Sequence, residues 1–189
     1  MLLLLTLTAG AQKSNQARAT LDKVAAVIGR KGGATANFSM SGKYGNSTGT
    51  LSIKGDKFVA KTSQAIIWFD GKTQWAYNTQ TDEVSVSTPN TTQQQAMNPY
   101  NFLNLYKNGY DLSMVNKSQV HLKAQNETKT IKELYITVNS SYQPTQVKMR
   151  TAKGWTVFNI SNFKAQNLSD ASFRFNAKDY PEAEVIDLR

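Results

Sequence analysis

Few side chains in this chain could carry out catalysis. It has a single histidine, His121, and no cysteine, so it lacks a thiol nucleophile, a thiolate metal site and any cluster of histidines. His121 lies on an alternating segment, on the same face as Lys123, which is typical of an exposed histidine on a strand. Asp82 and Glu83 are adjacent at the approach to another strand, where neighbouring side chains face opposite ways, so they cannot pair as catalytic carboxylates.

The remaining chemical groups do not form a recognisable catalytic or cofactor site. The carboxylates near the end of the chain are interpreted as a solvated tail rather than a metal or glycosidase site: Asp179, Glu182, Glu184 and Asp187. The sequence contains no phosphate-binding or dinucleotide-binding glycine motif and no calcium loop. We therefore predict a protein that is not an enzyme and that requires no metal or cofactor.

The charge of the chain is strongly positive and unevenly distributed. It has 22 Lys and Arg against 13 Asp and Glu, a net charge of +9. Residues 12–61 hold nine of these cations against only Asp22 and Asp56. A basic surface can meet nucleic acid, an anionic membrane or an acidic protein. Because the aromatic residues cluster away from the basic stretch, the interleaved pattern of nucleic-acid binding is missing, and we expect no nucleic-acid partner.

The first eleven residues have the pattern of an export signal. Residues 1–8 form a short apolar run, and Ala9-Gly10-Ala11 follows as an A-x-A cleavage pattern. The run is too short to span a bilayer, and no cysteine follows it for a lipid anchor. We expect a signal peptide at residues 1–11 and an exported, soluble domain at 12–189; the alternative is a buried first strand.

Hydrophobic periodicity predicts two helices and about eleven short strands in one domain. The first helix follows a cap at Ser14 and ends at Gly29, and the second runs from Asn98 to Gly109. Turn signals every eight to twelve residues favour one antiparallel barrel or strongly curved sheet, partly closed by the helices, although a filled sandwich gives the same periodicity. The predicted strands lie near residues 36–41, 51–53, 57–62, 65–69, 75–77, 84–86, 110–114, 120–124, 131–138, 147–150 and 155–160.

Three segments resemble one known family. Residues 70–78, D-G-K-T-Q-W-A-Y-N, followed by Glu83-Val84, resemble the signature of the LolA family of periplasmic outer-membrane lipoprotein carriers. The Gly-x-Leu-x-Ile segment at Gly49 to Ile53 is similar to a second family segment. Residues 172–175, S-F-R-F, followed by residues 185–187, V-I-D, are similar to its closing motif. Together the resemblance covers most of residues 13–189.

The resemblance implies a fold and a function. It implies an eleven-stranded unclosed half-barrel whose helices lid an apolar cavity. That cavity would hold the acyl chains of a lipoprotein received from an inner-membrane ABC transporter and delivered to an outer-membrane acceptor or membrane. Phe58 matches a family Phe, but the Arg that precedes it in the family has no counterpart in residues 54–57, K-G-D-K. In the family that Arg is linked to closing the lid and handing over cargo.

Acyl chains need an apolar concavity with little shape specificity, because each exposed CH₂ costs about 0.8 kcal/mol in water. Taken singly, each of the residues expected to line this lipid-binding cavity is better explained as core. The residues are Phe38, Met40, Leu51, Ile53, Phe58, Ile67, Trp68, Trp75, Tyr77, Phe102, Leu103 and Met149. The sequence thus predicts a monomeric periplasmic lipoprotein chaperone. The alternative is an envelope lipid-binding sensor on the same fold; an exported hydrolase would need a catalytic group that we do not find.

Overall fold

The structure, a computed structural model, describes residues 5–43, 45–90, 93–94 and 105–189, with side chains from residue 10 onward. The described part contains one long helix, twelve strands and two 3₁₀ turns at Asp170–Phe173 and Ala177–Asp179. The helix is α1 (Leu5–Ile28), and the strands are β1 (Ala34–Gly42), β2 (Gly45–Lys54), β3 (Lys57–Thr62), β4 (Ala65–Phe69), β5 (Gln74–Asn78), β6 (Glu83–Ser87), β7 (Tyr110–Asn116), β8 (Gln119–Ala124), β9 (Ile131–Val138), β10 (Pro144–Thr151), β11 (Gly154–Ala165) and β12 (Glu184–Asp187).

All twelve strands belong to one unclosed sheet. Its strand order is β12-β6-β5-β4-β3-β2-β1-β11-β10-β9-β8-β7, so β12 and β7 form its edges. Short turns join the strands from β2 to β6 and from β7 to β11, and such connections give antiparallel neighbours. The prediction of an unclosed, mainly antiparallel sheet of about eleven strands is confirmed.

The extra strand comes from the acidic tail. β12 runs parallel to β6, with Val185 beside Val84 and Ile186 beside Ser85. We interpreted the carboxylates of this tail as solvated, and β12 is indeed exposed, but we did not predict a strand here. The four residues of β12 are all exposed, so the segment shows no buried alternation from which a strand could be inferred.

The helices differ from their predicted bounds. α1 ends at Ile28, one residue before the predicted stop at Gly29, but it begins at Leu5 rather than after Ser14. Most of the second predicted helix, Asn98 to Gly109, lies outside the described residues. The signal peptide and the domain boundary at residue 11 stay predictions. None of the described helices is both long and apolar enough to cross a membrane.

The chain divides into two compact units, each with its own core. The first contains described residues 5–28, 39–43, 45–46 and 105–160. There α1 packs on β7 and β8 through one stripe of buried residues at helical spacing. The stripe consists of Ala17, Leu21, Val24 and Ile28, and the buried sheet residues of this unit include Leu112, Met114, Val120, Leu122, Leu134, Ile136 and Val147.

The second unit contains described residues 29–38, 47–90, 93–94 and 161–189. Its core cluster is built from Val59 on β3, Trp68 on β4 and Phe173 on the first 3₁₀ turn. A segment that follows β11 therefore covers strands that lie about a hundred residues earlier in the chain. This long-range packing decides which face of β2–β6 is available to a ligand.

The core of the first unit gives a test of the fold. Leu134 is fully buried in the middle of β9, between Leu122 and Met149 on the neighbouring strands. Leu134→Ala removes this packing and leaves a cavity, so we expect a loss of about 2–5 kcal/mol in the free energy of unfolding. The control Val115→Ala, at a site that is 52% exposed, should change it by less than about 0.5 kcal/mol. Urea denaturation measures both, and equal losses would contradict the assigned core.

Candidate functional site

The side chains of β2–β6 divide into two faces because successive residues on a strand point to opposite sides. Strand register places Leu51 opposite Ala60, and Ala60 opposite Ile67, so these side chains share a face, which we call the Leu51 face. Its two rows run across the strands. The Leu51 row is Leu51, Ala60, Ile67, Ala76, Ser85 and Ile186, and the Phe58 row is Ile53, Phe58, Phe69, Gln74 and Ser87.

The two rows differ in accessibility. Phe58 and Phe69 are each 3% exposed, and their ring centroids are 5.6 Å apart. Ile53, beside Phe58, is also buried. Leu51 and Ile67, in the other row, are only half-buried. The Phe58 row is therefore packed core, whereas the Leu51 row presents apolar surface.

An open groove of about 600 Å³ lies over the Leu51 row at β4, β5, β6 and β12. Its floor is made of small residues, Ala65, Ala76 and Ser85, between the larger Ile67 and Ile186. Polar side chains also line it, namely Gln64, Asn78, Gln80 and Glu83. The volume falls within the range of ligand pockets in proteins, about 300–1,000 Å³. The groove thus combines an apolar floor with polar groups at its margin.

The opposite face of the same strands is closed by the C-terminal segment. We call it the Trp68 face, and it carries Trp68, Trp75 and Tyr77. Phe173 is fully buried against it. The ring centroids of Phe175 and Tyr180 lie 5.7 and 5.6 Å from that of Trp68. Trp68 is therefore core, with Trp75 and Tyr77 packed half-buried against it, and the Leu51 face is the side on which β4–β6 leave an open groove.

Asp70 ties the β4–β5 hairpin to this C-terminal segment. Its Oδ1 accepts hydrogen bonds from the backbone N–H of Lys72 at 3.0 Å and of Thr73 at 2.9 Å. Its Oδ2 lies 3.0 Å from Nε of Arg174. Gly71 has φ of 96°, which favours glycine, and a Cβ there would lie 2.7 Å from Asp56 Oδ2. The D-G-K-T motif is therefore a structural turn that also anchors residue 174.

A second ion-pair cluster holds the start of the same segment. Asp170 lies 2.8 Å from Lys54 Nζ and 3.0 Å from Lys57 Nζ. Hydrogen bonds from these two lysines lower the pKa of Asp170 to about 2. Lys54 Nζ also donates to the carbonyl of Leu168 at 2.8 Å. Lys54 and Lys57, which precede Phe58, thus bind the C-terminal segment.

The predicted cavity residues fall into separate groups in the structure. Strand register brings Leu51, Ile53, Phe58 and Ile67 together on the Leu51 face. Phe38 joins them, because its ring lies 3.0 Å from the position of a Cβ on Gly49. By contrast, Trp68, Trp75 and Tyr77 lie on the Trp68 face beneath the C-terminal segment, although Tyr77 also borders the groove.

The other predicted residues lie elsewhere. Met40 and Met149 belong to the first unit, where Met149 is paired with Leu134 on a half-buried position of β10. Phe102 and Leu103 lie outside the described residues. As a set of lipid contacts, the twelve residues stay a prediction, and the described geometry groups only five of them on the Leu51 face.

Of the residues that line the groove, sequence reasoning found Ile67 and Tyr77 and missed the others. Ala65, Ala76 and Ser85 are small and give little apolar signal, and Ile186 lies in the tail that we interpreted as solvated. The signal that could have found them is hairpin register: once Asp70-Gly71 fixes the turn, counting outward places Ile67 opposite Ala76.

The structure gives little support for catalytic or metal chemistry in its described part. Residues 45–49 read G-N-S-T-G, which has the spacing of a nucleophile elbow. They lie within strand β2, whereas an elbow needs a sharp turn from a strand into a helix. No group of three or more His, Asp or Glu side chains among the described residues could hold a metal ion.

Comparison with known proteins gives one family and several similar solved structures. The family model of the outer membrane lipoprotein carrier protein LolA matches residues 7–153. No curated protein sequence matches the chain. A solved structure of an uncharacterized conserved protein from Thermus thermophilus has a TM-score of 0.60 and 15% identity, covering 90% of this chain and 98% of its own. This likeness shows that the two chains share a fold.

Two other solved structures are similar at lower scores. A LolA superfamily protein from Nitrosomonas europaea has 12% identity and a TM-score of 0.45, covering 84% of this chain and 97% of its own. The lipoprotein LppX from Mycobacterium tuberculosis has 7% identity and a TM-score of 0.44, covering 84% of this chain and 99% of its own.

The anchoring role of Asp70 predicts a pH-dependent stability. Burial raises the pKa of Asp70, but hydrogen bonds from Thr73 and Lys72 and the charge of Arg174 outweigh it and lower the pKa below its usual value. Because the folded-state pKa is lowered, ionised Asp70 stabilises the fold above the unfolded pKa of about 3.9. That contribution is lost as the pH falls through the folded-state pKa.

Asp70→Asn keeps the shape of the side chain and removes the charge. We expect it to unfold at lower urea concentration than the wild type at pH 7, with the difference shrinking as the pH falls from 5 to 3. Asp56→Asn, at an exposed turn carboxylate with no ion pair in the described structure, is the control. A difference for Asp70→Asn that stays constant with pH would contradict the assigned role.

Proposed function

The chain belongs to the family of the outer membrane lipoprotein carrier protein LolA, and we propose that it is a periplasmic carrier that holds lipoprotein acyl chains on its Leu51 face. Proteins of this family bind and carry their ligands rather than transform them. The inner-membrane ABC transporter that releases lipoproteins and an outer-membrane acceptor or bilayer would be its partners. One observation carries the proposal: the apolar Leu51 row is accessible beside the buried Phe58 row, and an open groove lies over the Leu51 row.

The physical chemistry of the Leu51 face suits reversible binding of an acyl chain. Burying ten CH₂ groups contributes about 8 kcal/mol, at about 0.8 kcal/mol each. The row crosses six strands, and at about 4.8 Å per strand it offers about 24 Å of length. Contacts with Leu51, Ile67 and Ile186 are non-directional, so chains of different length and saturation would be accepted. Release would then need no specific bond to be broken.

Acyl-chain binding on this face is tested by placing a charge in the row. Ile67 is half-buried and borders the groove, so Ile67→Glu puts a carboxylate where the chain would lie. Burying a carboxylate against hydrocarbon is costly, and we expect affinity for an N-palmitoylated, diacylglyceryl-modified lipopeptide to fall at least about tenfold. A fluorescently labelled lipopeptide and anisotropy measure this affinity.

The matched control is Thr50→Glu. Thr50 is exposed and pairs with Lys61 on the Trp68 side of the same sheet, so this variant adds the same charge on the opposite face. Its affinity should stay within about twofold of the wild type. Equal losses in both variants, or full binding by a folded Ile67→Glu variant, would show that the acyl chains do not lie on the Leu51 face.

A further inference from the structure

Positively charged residues cluster at one end of the first unit. The start of β7, the turn between β8 and β9, and the turn between β10 and β11 all lie at this end, which we call the hairpin end. The turn after β1 lies there too, because a Cβ on Gly42 would be 3.1 Å from the carbonyl oxygen of Trp155. Within the residues described here, these segments bring charges from distant parts of the chain together.

Cations outnumber carboxylates at the hairpin end. Eight cations and the three carboxylates Asp111, Glu127 and Glu133 give it a net charge of +5. The cations are Lys43, Lys107, Lys123, Lys129, Lys132, Lys148, Arg150 and Lys153. Each carboxylate already has a partner. Glu133 pairs with Arg150 and His121, Glu127 pairs with Lys132, and Asp111 accepts a hydrogen bond from the Gln125 amide. Lys43, Lys107 and Lys123 are exposed and form no ion pair with any described residue. The positive charge of this end is therefore not neutralised within the unit.

An exposed indole lies among these cations. Trp155 is the second residue of the outgoing strand of the β10–β11 hairpin and is 37% exposed. Lys148 Nζ is 4.4 Å from its ring centroid and the Arg150 guanidinium carbon is 5.9 Å from it. The ring of Tyr135 lies 5.9 Å away on the adjoining part of the sheet. A large aromatic side chain on the surface, flanked by cations, is the arrangement that anchors proteins at the headgroup level of a bilayer.

The opposite end of the same strands carries fewer charged residues. Its turns, between β7 and β8 and between β9 and β10, carry Lys117 as their one charged residue, and α1 adds Lys23 beside Tyr142. Lys23 Nζ donates a hydrogen bond of 2.9 Å to the Tyr142 hydroxyl. Among the described residues, this end thus has two cations, and one of them, Lys23, already donates a hydrogen bond. It provides a control surface for the hairpin end.

We propose that the hairpin end docks on the surface of an anionic phospholipid bilayer. Near such a surface each Lys or Arg strengthens binding about fivefold, so several unpaired cations bind appreciably at moderate salt. The indole of Trp155 adds an apolar contact at the headgroup boundary, which a purely polar acidic partner would not require. This docking is independent of the acyl-chain site and would bring the protein to a membrane whether or not it carries lipoproteins.

Vesicle co-sedimentation tests this docking with the full chain. The probes are vesicles of equal parts phosphatidylcholine and phosphatidylglycerol, and vesicles of phosphatidylcholine alone, at about 0.05 and about 0.15 M NaCl. We expect at least about tenfold tighter binding to the anionic vesicles, weakening with salt. Lys43→Glu/Lys107→Glu should reduce that binding at least about tenfold, and Trp155→Ala should reduce it about threefold or more.

The matched control reverses two charges at the opposite end, Lys23→Glu/Lys117→Glu. At about 0.15 M NaCl the Debye length is about 8 Å, so this variant should lose less than about threefold. Circular dichroism establishes that each variant is folded. Equal binding to neutral vesicles, or equal losses in the two double variants, would overturn the proposal. So would binding to soluble polyglutamate that matches vesicle binding and is unaffected by Trp155→Ala, because it would assign the surface to an acidic protein.

Discussion

The packing of Phe173 against Trp68 and Val59 is the contact on which the organisation of β2–β6 depends. A sheet with alternating side chains has two faces, and folding must bury at least one of them. Here a segment after the last long strand returns to cover the Trp68 face, with Phe173 fully buried at its centre. Asp70–Arg174 and the Lys54–Asp170–Lys57 cluster fix the two ends of that contact. Once this face is closed, the Leu51 face is the one left for a ligand.

The two rows of the Leu51 face have different roles: the Phe58 row stabilises the sheet, and the Leu51 row is accessible to a ligand. Ile53, Phe58 and Phe69 are buried and support the strands from within. The neighbouring row has small side chains at Ala76 and Ser85, so it leaves a groove that larger residues would fill. Each atom–atom contact of this kind contributes little energy, but the sum over many contacts is large. That balance suits a carrier, which must keep its cargo out of water and still give it up.

Much of this architecture could be predicted from the sequence, because local patterns encode local structure. Alternation located eleven strands, and Asp70-Gly71 fixed the β4–β5 turn and hence its register. Alternation alone does not say which face is covered, however, and for this reason Trp68, Trp75 and Tyr77 were grouped with Leu51. The covering segment around Phe173 has no periodic pattern and packs on strands about a hundred residues away. The exposed β12 likewise shows no burial signal, so Ile186 could not be foreseen at the groove.

The central claim is that the Leu51 face carries lipoprotein acyl chains, and it is tested most directly by identifying what the protein holds in its own envelope. Native mass spectrometry of the protein, purified under mild conditions without detergent, measures the mass of the bound species. We expect lipoproteins bound one to one, lost on collisional activation as intact acylated chains. Phospholipid alone, or a protein with nothing bound when lipoproteins are abundant in the same preparation, would contradict it.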